Sequence, residues 1–183
     1  MLKGTQINLR TVKRKDLEHY LELHSDIESR GQYFPLNLAT ESSVTSRFEK
    51  DGFWSDDAGT MLIVDKQTDL ILGVMVFFKP MFYHDSVEIG YILFNTQDRG
   101  KGVVPEALRL FIKYIFDWKP INRIQLQIEP DNLSSQRVAE KCGFTLEGTA
   151  RMAFISRGKA VNIDVFSLLR EEFEMGENVK LNK

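Results

Sequence analysis

The stretch Arg99-Gly100-Lys101-Gly102 constrains this chain most, because it joins a strand pattern to a helix pattern. Upstream, Gly90-Tyr91-Ile92-Leu93-Phe94 closes an apolar run. Downstream of Val103 and Val104, Ala107, Leu108, Phe111, Ile112 and Ile115 share one face of a helix. Glu106, Arg109, Lys113 and Asp117 share the other face, at spacings that let them pair with one another. Pro105 near the helix start lacks an N–H where no intrahelical acceptor existed. A helix start carries unpaired N–H groups and partial positive charge. Gly100 and Gly102 let a ligand approach the backbone closely, and Arg99 and Lys101 add cationic charge. These features make a site for a phosphorylated ligand, most naturally a diphosphate; the competing reading is a plain strand-to-helix turn. A P-loop is excluded because Gly102, not Ser or Thr, follows Lys101. A dinucleotide fingerprint begun at Gly100 fails at Pro105.

The rest of the chain reads as alternating elements. Residues 5–12, 59–65, 70–79, 86–94, 123–129, 144–155 and 160–169 have strand character. Helical spacing covers about 15–23, 42–50 and the segment after Gly102. A further helix starts at Asn132 as N-cap and stops at Cys142, with Gly143 in position to take the left-handed conformation. Residues 24–41 lack periodicity, and the polar residues from about 172 read as a tail. The order, β-α-α-β-β-β-α-β-α-β-β, predicts a mixed α/β sheet of about seven strands flanked by four helices. At 183 residues one domain is expected. A net charge of −2 argues against general nucleic-acid binding. A single cysteine, Cys142, and no apolar run long enough to span a membrane or open as a signal peptide point to a cytoplasmic protein without a membrane partner. The histidines show no metal-ligand spacing, so no metal is expected.

Arg99-Gly100-Lys101-Gly102-Val103-Val104 resembles the acyl-CoA motif Arg/Gln-X-X-Gly-X-Gly/Ala of the GNAT superfamily of N-acetyltransferases, with Val104 in place of the last small residue. Read from Gln97 to Gly102, the match is complete. Asn132-Leu133-Ser134-Ser135 through Glu140-Lys141-Cys142-Gly143-Phe144 is similar to the signature of the ribosomal-protein N-terminal acetyltransferase branch. The element order is also that of this fold, so the resemblance covers nearly the whole chain. It implies a mostly antiparallel sheet whose fourth and fifth strands splay apart. It also implies acetyl-CoA as co-substrate, an amine acceptor (a small molecule or a protein N-terminus), direct attack in a ternary complex, and a possible homodimer.

Acetyl transfer from a thioester to an amine requires removal of an amine proton, a donor for the oxyanion, and an acid for the leaving thiolate. Glu88 is the first candidate base. It lies inside the run Val87-Glu88-Ile89, on the strand face of Gly90, Ile92 and Phe94, where burial would raise its pKa; a carboxylate paired or solvated at the strand end is the alternative. The resemblance brings in Glu147 as second candidate base and the main chain of Ile92, Leu93 and Phe94 for the oxyanion and pantetheine. It also assigns Ser135 as acid at the sulfur and Asn132 as a pantetheine contact as well as a cap. Tyr33, Phe34, Phe48, Phe53, Trp54, Phe82 and Tyr83 divide between core and acceptor pocket, and Asp56 and Asp57 between a solvated turn and recognition of a cationic acceptor. The alternative function is a non-catalytic acyl-CoA sensor of the same fold.

Overall fold

The structure, a computed structural model, describes residues 1–28, 31–34, 36–81, 83 and 85–181. In chain order the strands are β1 (Leu2–Lys3), β2 (Ile7–Thr11), β3 (Ala58–Asp65), β4 (Ile71–Phe78), β5 (Ser86–Leu93), β6 (Arg123–Ile128), β7 (Thr145–Ser156) and β8 (Lys159–Leu169). The helices are α1 (Leu17–Ser25), α2 (Glu41–Asp51), α3 (Val103–Trp118), α4 (Leu133–Lys141) and α5 (Arg170–Leu181). The predicted mixed α/β sheet is present, with two additions. The two-residue β1 pairs with β2, and the polar segment read as a tail forms α5. The predicted fourth and fifth strands are therefore β5 and β6.

The strands follow the order β1-β2-β3-β4-β5-β6-β8-β7 across one sheet. Every neighbouring pair is antiparallel except β5 and β6, which run parallel. A parallel pair needs a crossover, and α3 supplies it. Alternation along the strands then divides the apolar residues between two faces.

On one face Ile7, Leu9, Met75, Phe77, Val87, Ile89, Ile124, Leu126 and Phe166 meet the stripe Ala107, Leu108, Phe111, Ile112 and Ile115 of α3. All five α3 residues are fully buried, as their helical spacing predicts. On the other face Leu62, Val64, Val74, Ile92 and Phe94 meet Tyr20 of α1, Val44 of α2 and Phe53. Among the described residues, nothing from β6, β7 or β8 joins this second cluster. Helices α1 and α2 therefore cover half of that face. The other half carries exposed Gln127, half-buried Arg123 and Gln125 and buried Ser167, together with the apolar Ile163 and Val165 of β8.

The polar face of α3 pairs differently from the sequence expectation. Lys113 and Asp117 form the anticipated ion pair at 2.8 Å. Arg109 instead donates to Lys141 O at the end of α4. Glu106 accepts from the backbone N–H groups of Thr5 and Gln6, fastening the chain between β1 and β2 to the first turn of α3. For both residues a long-range backbone partner, donor for Glu106 and acceptor for Arg109, replaces the local partner on the helix.

A buried ion pair fixes the entry to α1. Arg10 Nη1 and Nη2 reach Asp16 Oδ2 and Oδ1 at 2.6 and 3.0 Å, and Arg10 Nε reaches Asp69 Oδ1 at 2.9 Å. Asp16 also accepts from Lys13 N–H. Burial pushes the Asp16 carboxyl up, and hydrogen bonds from Arg10 and Lys13 outweigh it, so its pKa is lowered. Asp16→Asn leaves the buried Arg10 with the half-exposed Asp69 as its remaining ion-pair partner. It should therefore destabilise the fold at neutral pH by less than the ~3 kcal/mol of a fully unpaired buried charge, read from urea unfolding. A lowered folded pKa gives stability that is present above the unfolded carboxylate value and lost as pH falls through the folded value. The wild-type advantage over Asp16→Asn should therefore shrink on acidification.

Candidate active site

Two features of β5 generate the site. It hydrogen-bonds to β6 over three rungs alone, Ser86 with Arg123, Val87 with Ile124 and Glu88 with Gln125. It stays paired with β4 up to Gly73 and Leu93. Beyond Glu88, β5 and β6 part, and the backbone of β5 on that side faces a gap. Phe94 N–H donates to Leu72 O. Main-chain groups alternate along an antiparallel strand, so Phe94, Ile92 and Gly90 turn theirs to β4, while Tyr91 and Leu93 turn theirs to the gap. Of the three residues assigned by resemblance, Leu93 therefore has its main chain in position. Ile92 and Phe94 contribute side chains to the second core cluster. Tyr91 was missed in the sequence because its side chain reads as core.

The Arg99 to Gly102 loop follows directly. Asn95 caps a short 3-10 turn, Thr96–Asp98, by accepting from Gln97 N–H. Gly100 and Gly102 have φ of +76° and +83°, a region L side chains rarely adopt. A Cβ on Gly100 would meet nothing within 4 Å, so conformation and not crowding selects glycine there. Gly102 is the N-cap of α3 and offers no side-chain oxygen to the first-turn amides. The N–H groups of Val103 and Val104 thus lack an intrahelical acceptor. Gln6 Nε2 donates to Lys101 O at 3.3 Å and steadies the loop from the chain between β1 and β2. Lys101 pairs with Asp98 at 3.5 Å and stays well exposed.

On the far side of the gap, Asn132 caps α4. Its Oδ1 accepts from Ser135 N–H at 3.2 Å and from Ser134 Oγ at 2.8 Å, leaving its Nδ2 for another partner. Ser135 is half-buried in the first turn. Tyr91 Oη lies 3.5 Å from Ser135 O, joining β5 to α4 at the base of the gap. Burial pushes the Tyr91 phenol up to about 12, so it stays protonated.

The two carboxylates proposed as bases differ sharply. Glu88 sits at the last β5–β6 rung, where its Oε2 accepts from Gln125 Nε2 and Gln127 Nε2, both at 2.9 Å. Burial raises its pKa, and the two amides moderate the rise. Glu147 is gripped by Arg123 through two contacts of 2.5 and 2.6 Å and also accepts from Ser167 Oγ. The Arg123 hydrogen bonds lower its pKa. A carboxylate held in an arginine fork is a weak base, so the geometry favours Glu88. The strand alternation Gln125-X-Gln127, polar between Ile124, Leu126 and Ile128, was a legible signal that pointed to this face.

Residues 31–33, in the α1–α2 connection, form a strap between the start of α4 and the β7–β8 turn, at the mouth of the gap. Tyr33 Oη donates to Asp131 O at 3.0 Å before α4. Arg157, in the β7–β8 turn, donates to Gln32 O and Gly31 O at 3.0 Å each. The aromatic set divides between roles. Phe53 is buried in the second cluster, with Phe34 and Phe48 packed against it. Trp54 belongs to the other cluster, against Phe77, Tyr114 and Trp118. Tyr83 is exposed, and Phe82 lies outside the described residues. Asp56 and Asp57 are exposed at a turn, where their carbonyls accept from Lys119 Nζ and Lys79 N–H. Cys142 packs at the α3–α4 contact, its Sγ 3.6 Å from Pro105 O. Among the described residues no helix is long and apolar enough to cross a membrane.

Comparison with known proteins agrees with this geometry. The family described as Acetyltransferase (GNAT) domain matches residues 6–145. Among curated relatives, the uncharacterized N-acetyltransferase p20 of Bacillus licheniformis is 32% identical over 92% of this chain and 95% of its own length. The probable N-acetyltransferase YjcK of Bacillus subtilis is 29% identical over 95% and 99%. Among solved structures, spermidine N-acetyltransferase from Vibrio cholerae, in complex with CoA and spermine, superposes with a TM-score of 0.78. It covers 92% of this chain and 98% of that one at 20% identity, a likeness of fold. The parted strands, the glycine loop at the start of α3 and the full-length relatives agree: this chain belongs to the GNAT family of acetyltransferases.

Proposed function

We propose that the chain transfers the acetyl group of acetyl-CoA to a primary amine, by direct attack in a ternary complex. The observation that carries this reading is the gap between β5 and β6, which opens beside the α3 N-terminus and ends at Glu88. In this reading residues 1–183 form one catalytic domain. The diphosphate of CoA lies on the N–H groups of residues 100–104, with Arg99 and Lys101 supplying cationic charge. The pantetheine arm enters the gap, where its amides meet the main chain of Leu93 and Tyr91 and the Nδ2 of Asn132. The acceptor approaches over the half of the sheet face that carries Gln125 and exposed Gln127, whose border is Glu88.

The chemistry follows from these positions. Glu88 takes a proton from the ammonium form of the acceptor, so that its lone pair can attack the thioester carbonyl. An N–H in the gap stabilises the oxyanion. Ser135 gives its hydroxyl proton to the departing thiolate and recovers one, through water, from the nitrogen of the tetrahedral intermediate. A new C–N bond replaces the C–S bond, and the products are an amide and CoA. The Vibrio cholerae neighbour, whose structure carries spermine, supports a small amine as acceptor. A protein N-terminus offers the same nucleophile.

Three expected outcomes test this reading. A ligand bound by the native state alone stabilises it by mass action, so acetyl-CoA and desulfo-CoA should raise Tm while ATP and NAD leave it nearly unchanged. Gly102→Asp should abolish most CoA binding in calorimetry, since it strains the positive φ and sets a carboxylate at the diphosphate position. Equal CoA affinity in that folded variant would move the cofactor elsewhere. In thiol-release assays with a screened amine acceptor, Glu88→Gln and Ser135→Ala should each lower kcat by about a hundredfold while CoA affinity stays within a few fold. Because Glu88 is raised by burial, wild-type kcat/KM should climb with pH through a limb above the ordinary carboxylate range, and Glu88→Gln should erase it. CoA binding with no turnover on any amine would establish the sensor instead.

A further inference from the structure

We propose that Gln125 and Gln127 are positioning residues for Glu88: together their amides hold Oε2 of its carboxylate and turn Oε1 toward the acceptor amine. The proposal rests on the reading of Glu88 as base. Its geometry comes from the parting of the strands. Gln125 stands beside Glu88 on the last shared rung. Gln127 lies two residues further along β6, on the same face, where β5 has already left. Gln127 is exposed, and its amide could turn to solvent. It reaches back across the widening gap instead, and both Nε2 atoms converge on one oxygen at 2.9 Å. No described residue bonds Oε1.

The residue type matters as much as the placement. A lysine or arginine in these positions would clamp the carboxylate, as Arg123 clamps Glu147, and would repel an incoming ammonium. Apolar residues would leave a half-buried carboxylate with no partner. A glutamine amide donates to the ionised carboxylate, and turned over it accepts from the protonated one. The same pair therefore serves Glu88 before and after it takes the proton.

The surroundings isolate this trio. Across β4 the neighbour of Glu88 is Phe78, and β8 sets Ser167 beside Gln125 and Val165 beside Gln127. The charged residue on this face of β6, Arg123, is engaged with Glu147. No charged side chain among the described residues contributes to the Glu88 shift; burial and the two amides account for it.

The test uses the full chain labelled with carboxyl-13C glutamate, the Glu88 resonance being the one lost in Glu88→Gln. Gln125→Met, Gln127→Met and the double variant keep side-chain volume and remove the donors. The Glu88 titration midpoint should move to higher pH in each variant, and furthest in the double. The acidic limb of kcat/KM should move with it, and the neutral-pH rate of the double variant should fall on the order of tenfold. CoA affinity should not change. In a Glu88→Gln background the two methionines should cost nothing more. If the double variant fails to fold, exposed Gln127→Met alone carries the test. An unmoved Glu88 midpoint overturns the positioning role. A midpoint that moves without the rate profile overturns the reading of Glu88 as base, and with it the purpose assigned to the pair.

Discussion

The interaction on which the site depends is one that stops. Parallel strands normally keep their ladder to the end, because unpaired backbone groups inside a sheet are costly. Here β5 and β6 share three rungs and then diverge. The divergence is held from both sides. β5 stays bonded to β4, and β6 stays bonded to β8 through Ile128. Neither strand can bend to close the gap without breaking a ladder on its other edge. Tyr91, a partly buried residue of β5 whose hydroxyl reaches α4, props the base of the opening. The sheet therefore offers backbone donors and acceptors to any partner with amides of its own.

Two glutamates of the same sheet, on β5 and β7, show how local partners sort identical side chains into different environments. Glu147 meets a guanidinium and a hydroxyl and becomes a fixed anion that ties β7 to β6 and β8. Glu88 meets two neutral amides in a partly buried position and keeps a proton affinity that the medium can use. The difference comes from which side chains the sheet brings within reach, not from the glutamate itself. Glu88 meets glutamines of the adjacent β6, whereas Glu147, at a bulge in β7, reaches past β8 to Arg123.

Much of the fold was legible because its signals are local. The stripe on α3, the Asn132 cap and the alternation in β6 each depend on residues within a few positions. The glycine loop was legible for the same reason, since a positive φ at Gly100 and Gly102 leaves few alternatives. What escaped depends on distant partners. Glu106 and Arg109 were read as neighbours on a helix surface, yet they bond the β1–β2 corner and the end of α4. The union of Arg10 with Asp16 and Asp69 joins β2, the start of α1 and the β3–β4 turn. The polar end of the chain looked featureless, but Arg170 at the start of α5 donates to the carbonyls of Phe116, Lys119 and Ile121, which anchors that helix under α3. Tyr91, Gln125 and Gln127 acquire meaning once the strand order is known.

The strap across the mouth of the site has a consequence for how such an enzyme changes over time. Arg157 holds it through the carbonyls of Gly31 and Gln32, and every residue of any sequence has a carbonyl. Gly31 itself is constrained by its φ of +76°, but Gln32 enters the clasp to Arg157 through its carbonyl and not its side chain. Mutation there can redraw the surface an acceptor meets while that fastening stays intact. On the function proposed above, a lineage can drift from one amine acceptor to another by this route while the residues assigned to CoA stay untouched.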